Sequence, residues 1–329
     1  MWRAVFLLFF AFPLFGLSLK EKLSDAVPGS YVVTAQNKSA TFFFIRSVEK
    51  NKLLMEEVSI PMSRAPMDWK GWFESGAPGH TLWTSSLVNL DKGELEETFS
   101  FTHEGWIDQS EANAFFATLL NLSFREIPEE NRKKVGFPPK HGQLDKRTLW
   151  QPRLIVNGEV VEGSYFTAFE TRWPNDRTDL ARRRIEVYFP EESGAFFPHW
   201  IEVDGKVTTV QLHVIDSGTS ARSPKPKLPY RRPQIIGNAR LTEQGVEIKI
   251  QTPDYFSNFH VLAEDAEDYY SRPHFLKASF ENGVITVPQN ELANLDQGTS
   301  YFFIISPMEA PECTVTSPEP LVVNKSANN

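Results

Sequence analysis

The sequence predicts a mainly β protein in two folded parts: an antiparallel meander sheet packed with one or two helices, then a smaller C-terminal β region. Three observations predict it: short apolar segments separated by tight-turn signals, one clear amphipathic helix, and a Pro-rich basic break near residue 220. A chain of 329 residues is long for one small domain.

The first twenty residues read as an address. Arg3 supplies a positive start, and the apolar run Ala4 to Leu17 falls short of the roughly 20 residues that a spanning helix needs. Gly16 and Ser18 are small residues at the positions a signal peptidase reads. Residues 1–18 are therefore expected to be a signal peptide cut after Ser18, with no transmembrane segment after cleavage. The expected location is exported, periplasmic or extracellular.

Residues 19–219 form the expected Trp-rich antiparallel domain. Thr41–Ser47 and Leu53–Ile60 flank Glu49-Lys50-Asn51, and Leu82–Leu90 and Leu95–Phe101 flank Asp91-Lys92-Gly93. Leu154–Val156 and Val160–Val161 flank Asn157-Gly158, and Trp200–Val203 and Val207–Ile215 flank Asp204-Gly205. Such dipeptides supply the positive φ of tight hairpins. A helix is expected over residues 108–122, capped by Asp108 with Glu111 in its first turn. Its buried face is Ala112, Phe115, Phe116, Leu119 and Leu120. A shorter helical turn is expected from Pro128 to Gly136.

Residues 220–233 read as a semi-rigid linker, because proline fixes φ and removes donors. From Ser217 to Thr242 the chain holds Arg222, Lys225, Lys227, Arg231, Arg232 and Arg240, with no acid. On a chain of 34 basic and 42 acidic residues, net −8, that strip is the one place expected to dock an anionic partner. With Tyr230 its only aromatic, nucleic acid is not expected as a partner.

Residues 234–325 are expected to be a β-sandwich, with 326–329 as a tail. Val246, Ile248 and Ile250 alternate, as do Phe259, Val261 and Ala263. Leu295-Asp-Gln-Gly298-Thr299-Ser-Tyr301 resembles the Leu-x-Pro-Gly-Thr-x-Tyr corner of fibronectin type III domains. There the tyrosine hydroxyl bonds back to the backbone. The resemblance gives Leu295 and Tyr301 structural roles and implies a spacer or docking module. Gln297 replaces the corner proline, and the family's early-strand tryptophan is missing.

Chemistry is sparsely signalled. Val214-Ile-Asp216-Ser217-Gly218 matches an aspartic-protease pattern, with Ile235-Ile236-Gly237 beyond it. That mechanism needs two aspartates sharing a proton, and no second copy of the motif is present. The seven histidines show no ligand spacing, and His103-Glu104 would point to opposite faces of a strand. One cysteine, Cys313, excludes an intramolecular disulfide or thiolate cluster. No cofactor, metal or catalytic residue is expected.

The most distinctive string runs from Met67 to His80. Trp69, Trp72, Phe73 and nearby Trp83 are its expected ligand-binding aromatics, suited to an apolar ligand or a sugar. Trp72-Phe-Glu-Ser-Gly76-Ala-Pro-Gly-His80 and Phe197-Pro-His-Trp200-Ile-Glu-Val-Asp-Gly205 resemble exported proteins of chlamydia-type bacteria, which implies a Gram-negative envelope. The helix-closed meander also resembles the half-barrel lipoprotein carriers. The sequence thus points to a non-enzymatic binding or scaffold protein of the envelope. The alternatives are a carrier of lipid or another apolar ligand and a carbohydrate-binding protein. Its expected partners are an envelope protein or an apolar ligand.

Overall fold

The computed structural model describes residues 16–107, 110–191, 195–205, 209–227, 231–254, 256–268 and 270–323. They divide into two compact units. One takes the chain to Pro226 except Glu104–Trp106, which groups with the second unit from Lys227 onward. The first unit therefore runs past the expected end at residue 219.

Its strands are β1 (Tyr31–Gln36), β2 (Ser39–Glu49), β3 (Lys52–Pro61), β4 (Leu82–Asn89) and β5 (Glu94–Ser100). After β6 (Gly105–Trp106), a member of the second unit, come β7 (Arg125–Glu126), β8 (Leu154–Val156), β9 (Glu159–Val161) and β10 (Phe166–Arg172). The last are β11 (Arg184–Pro190), β12 (Trp200–Val203) and β13 (Val210–Gly218). All but β8 and β9 lie side by side in the order β5-β4-β3-β2-β1-β13-β12-β11-β10-β7. Two meanders are thus joined where β1 pairs β13, Val32 opposite Ser217. Three of the four hairpins form at the expected turns, and Lys50 (φ 54°) and Asn157 (φ 52°) adopt the left-handed backbone these turns demand; β12 and β13 instead pair across a connection longer than Asp204-Gly205.

Alternation sorts the side chains onto two faces. Val32, Ile45, Leu53, Val187, Phe189 and Val214 pack on one face with α1 (Leu19–Ser24) and α3 (Ser110–Asn121). Ser18 caps α1 with a reciprocal box: its hydroxyl accepts from Glu21 N and its N–H donates to Glu21 Oε2, 2.9 Å. A cut after Ser18 would remove that box.

The expected cap Asp108 lies outside the described residues. Leu120 is buried, and Phe116 and Leu119 pack partly against the same core. Phe115, expected inside, is 44% exposed and stacks on Trp173 at 5.2 Å. At Pro128–Gly136 only a short 3-10 turn forms, Glu129–Asn131. His103 and Glu104 sit in a turn, Glu104 at φ 53°, where a strand was expected.

The second unit is a two-sheet sandwich. One sheet orders β14 (Gln234–Ile235), β16 (Gly245–Gln251), β20 (Val284–Pro288) and β19 (Ser279–Glu281), with β15 (Arg240–Thr242) also on β16. The other orders β18 (His274–Leu276), β17 (Phe259–Asp265), β21 (Ser300–Pro307) and β22 (Val315–Thr316), with β23 (Leu321–Val322) also on β21. Val246, Ile248, Ile250 and Ile285 from one share a core with Val261, Ala263, Phe303 and Ile305 from the other. The Tyr301 hydroxyl accepts from Asp296 N at 3.1 Å, and Leu295 is buried beside it. This is the expected corner geometry.

Candidate ligand site

The expected aromatic ligand face is overturned. Asp68 caps the six-residue helix α2 (Trp69–Glu74) by accepting from Gly71 N at 2.9 Å. The helix then presses its aromatics onto the sheet. Phe73 stacks on Phe42 (4.5 Å), and Trp72 meets the same ring edge-on. Trp69 and Trp72 are 7% exposed, Phe73 and Trp83 0%. They fill a core with Val33, Val58 and Ala221. Burying three large rings on one short helix stabilises more than a wet platform would.

The linker cations divide between the two units, Arg222 and Lys225 in the first and Lys227, Arg231 and Arg232 in the second. Ala221 is buried in that core, Arg222 N donates to Glu74, and the Ser223 hydroxyl donates to Glu56 at 3.0 Å. The Lys225 ammonium lies 4.7 Å over Trp83 and 5.2 Å over Phe101. Residues 220–226 are thus a strap of the first unit, not a free linker. In the second unit Arg232 lies over Trp106, while Lys227 and Arg231 are exposed.

Asp216 is a structural pin. Its Oδ1 accepts from Gly158 N and Ser217 N, both 2.9 Å, and its Oδ2 accepts from the Tyr31 hydroxyl. Burial pushes its carboxyl up despite those donors. Burial and the neighbouring Asp216 also push the Tyr31 phenol up. The pin fixes the β8–β9 turn, and with it the wall of a hollow the sequence did not reveal.

That hollow measures about 430 Å³ and is lined by Trp150, Gln151, Arg153, His199, Trp200 and His213 among others. The register of β11, β12 and β13 sets Tyr188 beside Trp200 and Trp200 beside His213. Trp150 arrives from the excursion between β7 and β8, held by its N–H on Lys133 O at 2.8 Å. Its ring meets Trp200 edge-on at 5.0 Å and Tyr188 at 5.3 Å. Behind this pair, burial alone would raise the Glu202 carboxyl, but Lys133, helped by Gln211 and Trp200, holds it below the usual range.

Gln151 Oε1 and both ring nitrogens of His199 are buried there without a hydrogen-bond partner of good geometry. His199 is 3% exposed. Buried polar atoms are normally satisfied, so a polar group entering the hollow would find partners in them. Arg153 is exposed and makes no ion pair or hydrogen bond among the described residues. The lining carries no acid. The hollow therefore offers two indoles, a neutral imidazole, an amide acceptor and a guanidinium.

Burial lowers His199 to about 4, although the Phe197 carbonyl pulls the other way. Unfolded, the same ring takes a proton near 6.5. Between these values the unfolded chain binds more protons, so stability falls as pH falls from 6.5 towards 4. His199→Gln is expected to remove a loss on the order of 3 kcal/mol from that window, read as a flatter Tm-against-pH curve.

The fold and site together define a mainly β protein with a tryptophan-edged, largely apolar hollow that holds a few polar side chains. A family model described as CT021 protein matches residues 41–162. That stretch contains Trp150, Gln151 and Arg153 but not His199, Trp200 or His213. The chain is similar to the solved structure of the hypothetical protein CT021 from Chlamydia trachomatis. They share 21% identity over 65% of this chain and 98% of that one, with a TM-score of 0.47. The crystal structure of MucB matches at 10% identity over 84% of this chain and 94% of that one, TM-score 0.29. No curated protein matches the chain.

Proposed function

We propose that this chain is an exported, non-enzymatic binding protein of a bacterial envelope, and that its ligand is an acidic saccharide held in the Trp150/Trp200 hollow. The unsatisfied buried polar atoms of His199 and Gln151 carry this reading. Sugar hydroxyls both donate and accept, which suits a neutral imidazole and an amide oxygen at once. Pyranose rings stack on indoles, and a carboxylate on the sugar would meet Arg153. The volume suits a small ligand.

The second unit is a fibronectin type III-like docking module in this reading, supported by the Tyr301–Asp296 corner. The apolar-carrier alternative and sugar binding at Trp69, Trp72, Phe73 and Trp83 both lose those aromatics, since they fill a core, and the saccharide proposed here rests on the Trp150/Trp200 hollow instead.

A glycan array followed by calorimetry on the purified chain tests the proposal. Acidic oligosaccharides should bind, and Trp200→Ala and Arg153→Ala should each weaken binding about tenfold, roughly 1.4 kcal/mol. Three results would overturn it: no saccharide bound, binding indifferent to both changes, or a stoichiometric lipid released under denaturing mass spectrometry. Hydrolase turnover lost in Asp216→Asn or His103→Ala would sink the non-enzymatic part.

A further inference from the structure

The excursion that delivers Trp150 also carries a tip that the hollow does not use. Its two legs are tied at the base: Lys134 bridges Leu149, and Val135 N donates to Thr148 O at 2.9 Å. Arg147 donates through Nε and Nη2 to Asp145, and through Nη1 to Gly136 O at 3.1 Å. Lys134 donates to Asp145 Oδ2 at 3.1 Å, the oxygen that Arg147 Nη2 also reaches. These bonds hold the legs together while the apolar side chains between them face water.

Phe137 is 96% exposed, Leu144 80% and Val135 55%. Exposing a phenylalanine and a leucine on one short tied loop forgoes the burial that such side chains normally gain. Around them stand Lys134, Lys140, Lys146 and Arg147 against the single acid Asp145, a local +3 on a chain of net −8, while Lys133 is paired with Glu202. Asp145 is already neutralised by Lys134 and Arg147, which leaves Lys140 and Lys146 outward. Pro138-Pro139 stiffens the crest between Phe137 and Lys140.

We infer that this tip is a membrane-docking loop that inserts Phe137 and Leu144 into an anionic lipid surface while Lys140 and Lys146 meet its headgroups. An apolar crest ringed by cations is the pattern interfacial insertion requires, since neither the buried area nor the charge attraction suffices alone. The charge selects the partner. A neutral apolar surface would gain nothing from the lysines, and a basic one would be repelled.

The only cysteine, Cys313, is buried, so His141→Cys places a single reactive thiol on the exposed tip. The full chain, labelled there with an environment-sensitive dye, is mixed with vesicles of phosphatidylcholine containing phosphatidylglycerol. The emission should shift to the blue, with half-saturation at least fivefold weaker on pure phosphatidylcholine or in 0.5 M salt. Phe137→Ser with Leu144→Ser should abolish the shift, with the circular dichroism unchanged because both residues are solvent-facing.

No shift on anionic vesicles would overturn the inference, as would a shift that survives the double change. A shift of equal strength on neutral vesicles would do the same. So would a shift that appears without lipid as concentration rises, which would mean a second copy covers the tip. The dye reports only the tip, and saccharide binding at the hollow is measured separately.

Discussion

Arg46→Ala is expected to destabilise the first unit by about 3–5 kcal/mol, the cost of leaving a buried carboxylate without its counter-charge. Glu56 on β3 is 0% exposed. It accepts from Arg46 Nη1 at 2.6 Å, from the Trp83 indole at 2.9 Å and from the Ser223 hydroxyl at 3.0 Å. Two neutral donors remain when the guanidinium is removed, which is too little to hold an ion in the interior.

The same guanidinium donates to Lys225 O at 2.7 Å. Its loss should therefore also free the 220–226 strap. Urea unfolding followed by tryptophan fluorescence reads the first effect, since Trp69, Trp72, Trp83, Trp150, Trp173 and Trp200 all lie in this unit. Limited proteolysis between Arg222 and Lys227 reads the second. The double change Arg46→Leu with Glu56→Leu should recover most of the loss, because the pair's net worth over apolar residues is small. A loss below about 1 kcal/mol in Arg46→Ala would mean that Glu56 is solvated.

This ion pair shows where sequence reasoning stops. Apolar segments between turn residues marked paired strands of the first unit, and alternation marked Val246, Ile248 and Ile250 and Phe259, Val261 and Ala263, because a strand buried on one face has a period of two. Neither signal could show that Arg46 and Ser223 converge on Glu56, since that contact joins residues far apart in the chain. The proline content of 220–233 reads as a semi-rigid linker, yet four of those residues lie against Glu56, Glu74 and the aromatic core. Proline excludes regular secondary structure, but not packing.

The hollow escaped for a related reason. Asn157-Gly158 makes the two-residue turn it advertises, with Val156 opposite Glu159. Asp204-Gly205 does not. A two-residue turn there would set Trp200 opposite Thr209, whereas Val203 pairs Val210 and Trp200 pairs His213. A longer loop thus moves a histidine beside the tryptophan, and register cannot be read from turn residues when the loop length is unknown. Trp150 comes from a third region with no periodic signal at all.

Phe73→Ala is the second large effect, and it separates a core from a binding surface. Were Phe73 a ligand-lining residue, its truncation would leave stability nearly unchanged and remove only binding. Its ring is instead stacked on Phe42 at 4.5 Å, tilted on Phe44 at 4.9 Å and 5.6 Å from Trp83, with no exposure. The expected loss is about 3–5 kcal/mol, the transfer cost of the ring plus the cavity left behind. Helix α2 has six residues and cannot persist without that packing, so the loss should be accompanied by fraying of residues 69–74. Met67 precedes the same helix and is fully exposed. Met67→Ala should change stability by less than about 0.5 kcal/mol, which makes it the matched control. Denaturant midpoints for the two variants decide the matter, because a lining role predicts equal midpoints and a core role predicts that only Phe73→Ala falls. Amide exchange at Gly71 and Trp72 adds a local readout: the cap and the Trp72 N–H bond to Asp68 O, 3.0 Å, should lose protection only in the core case.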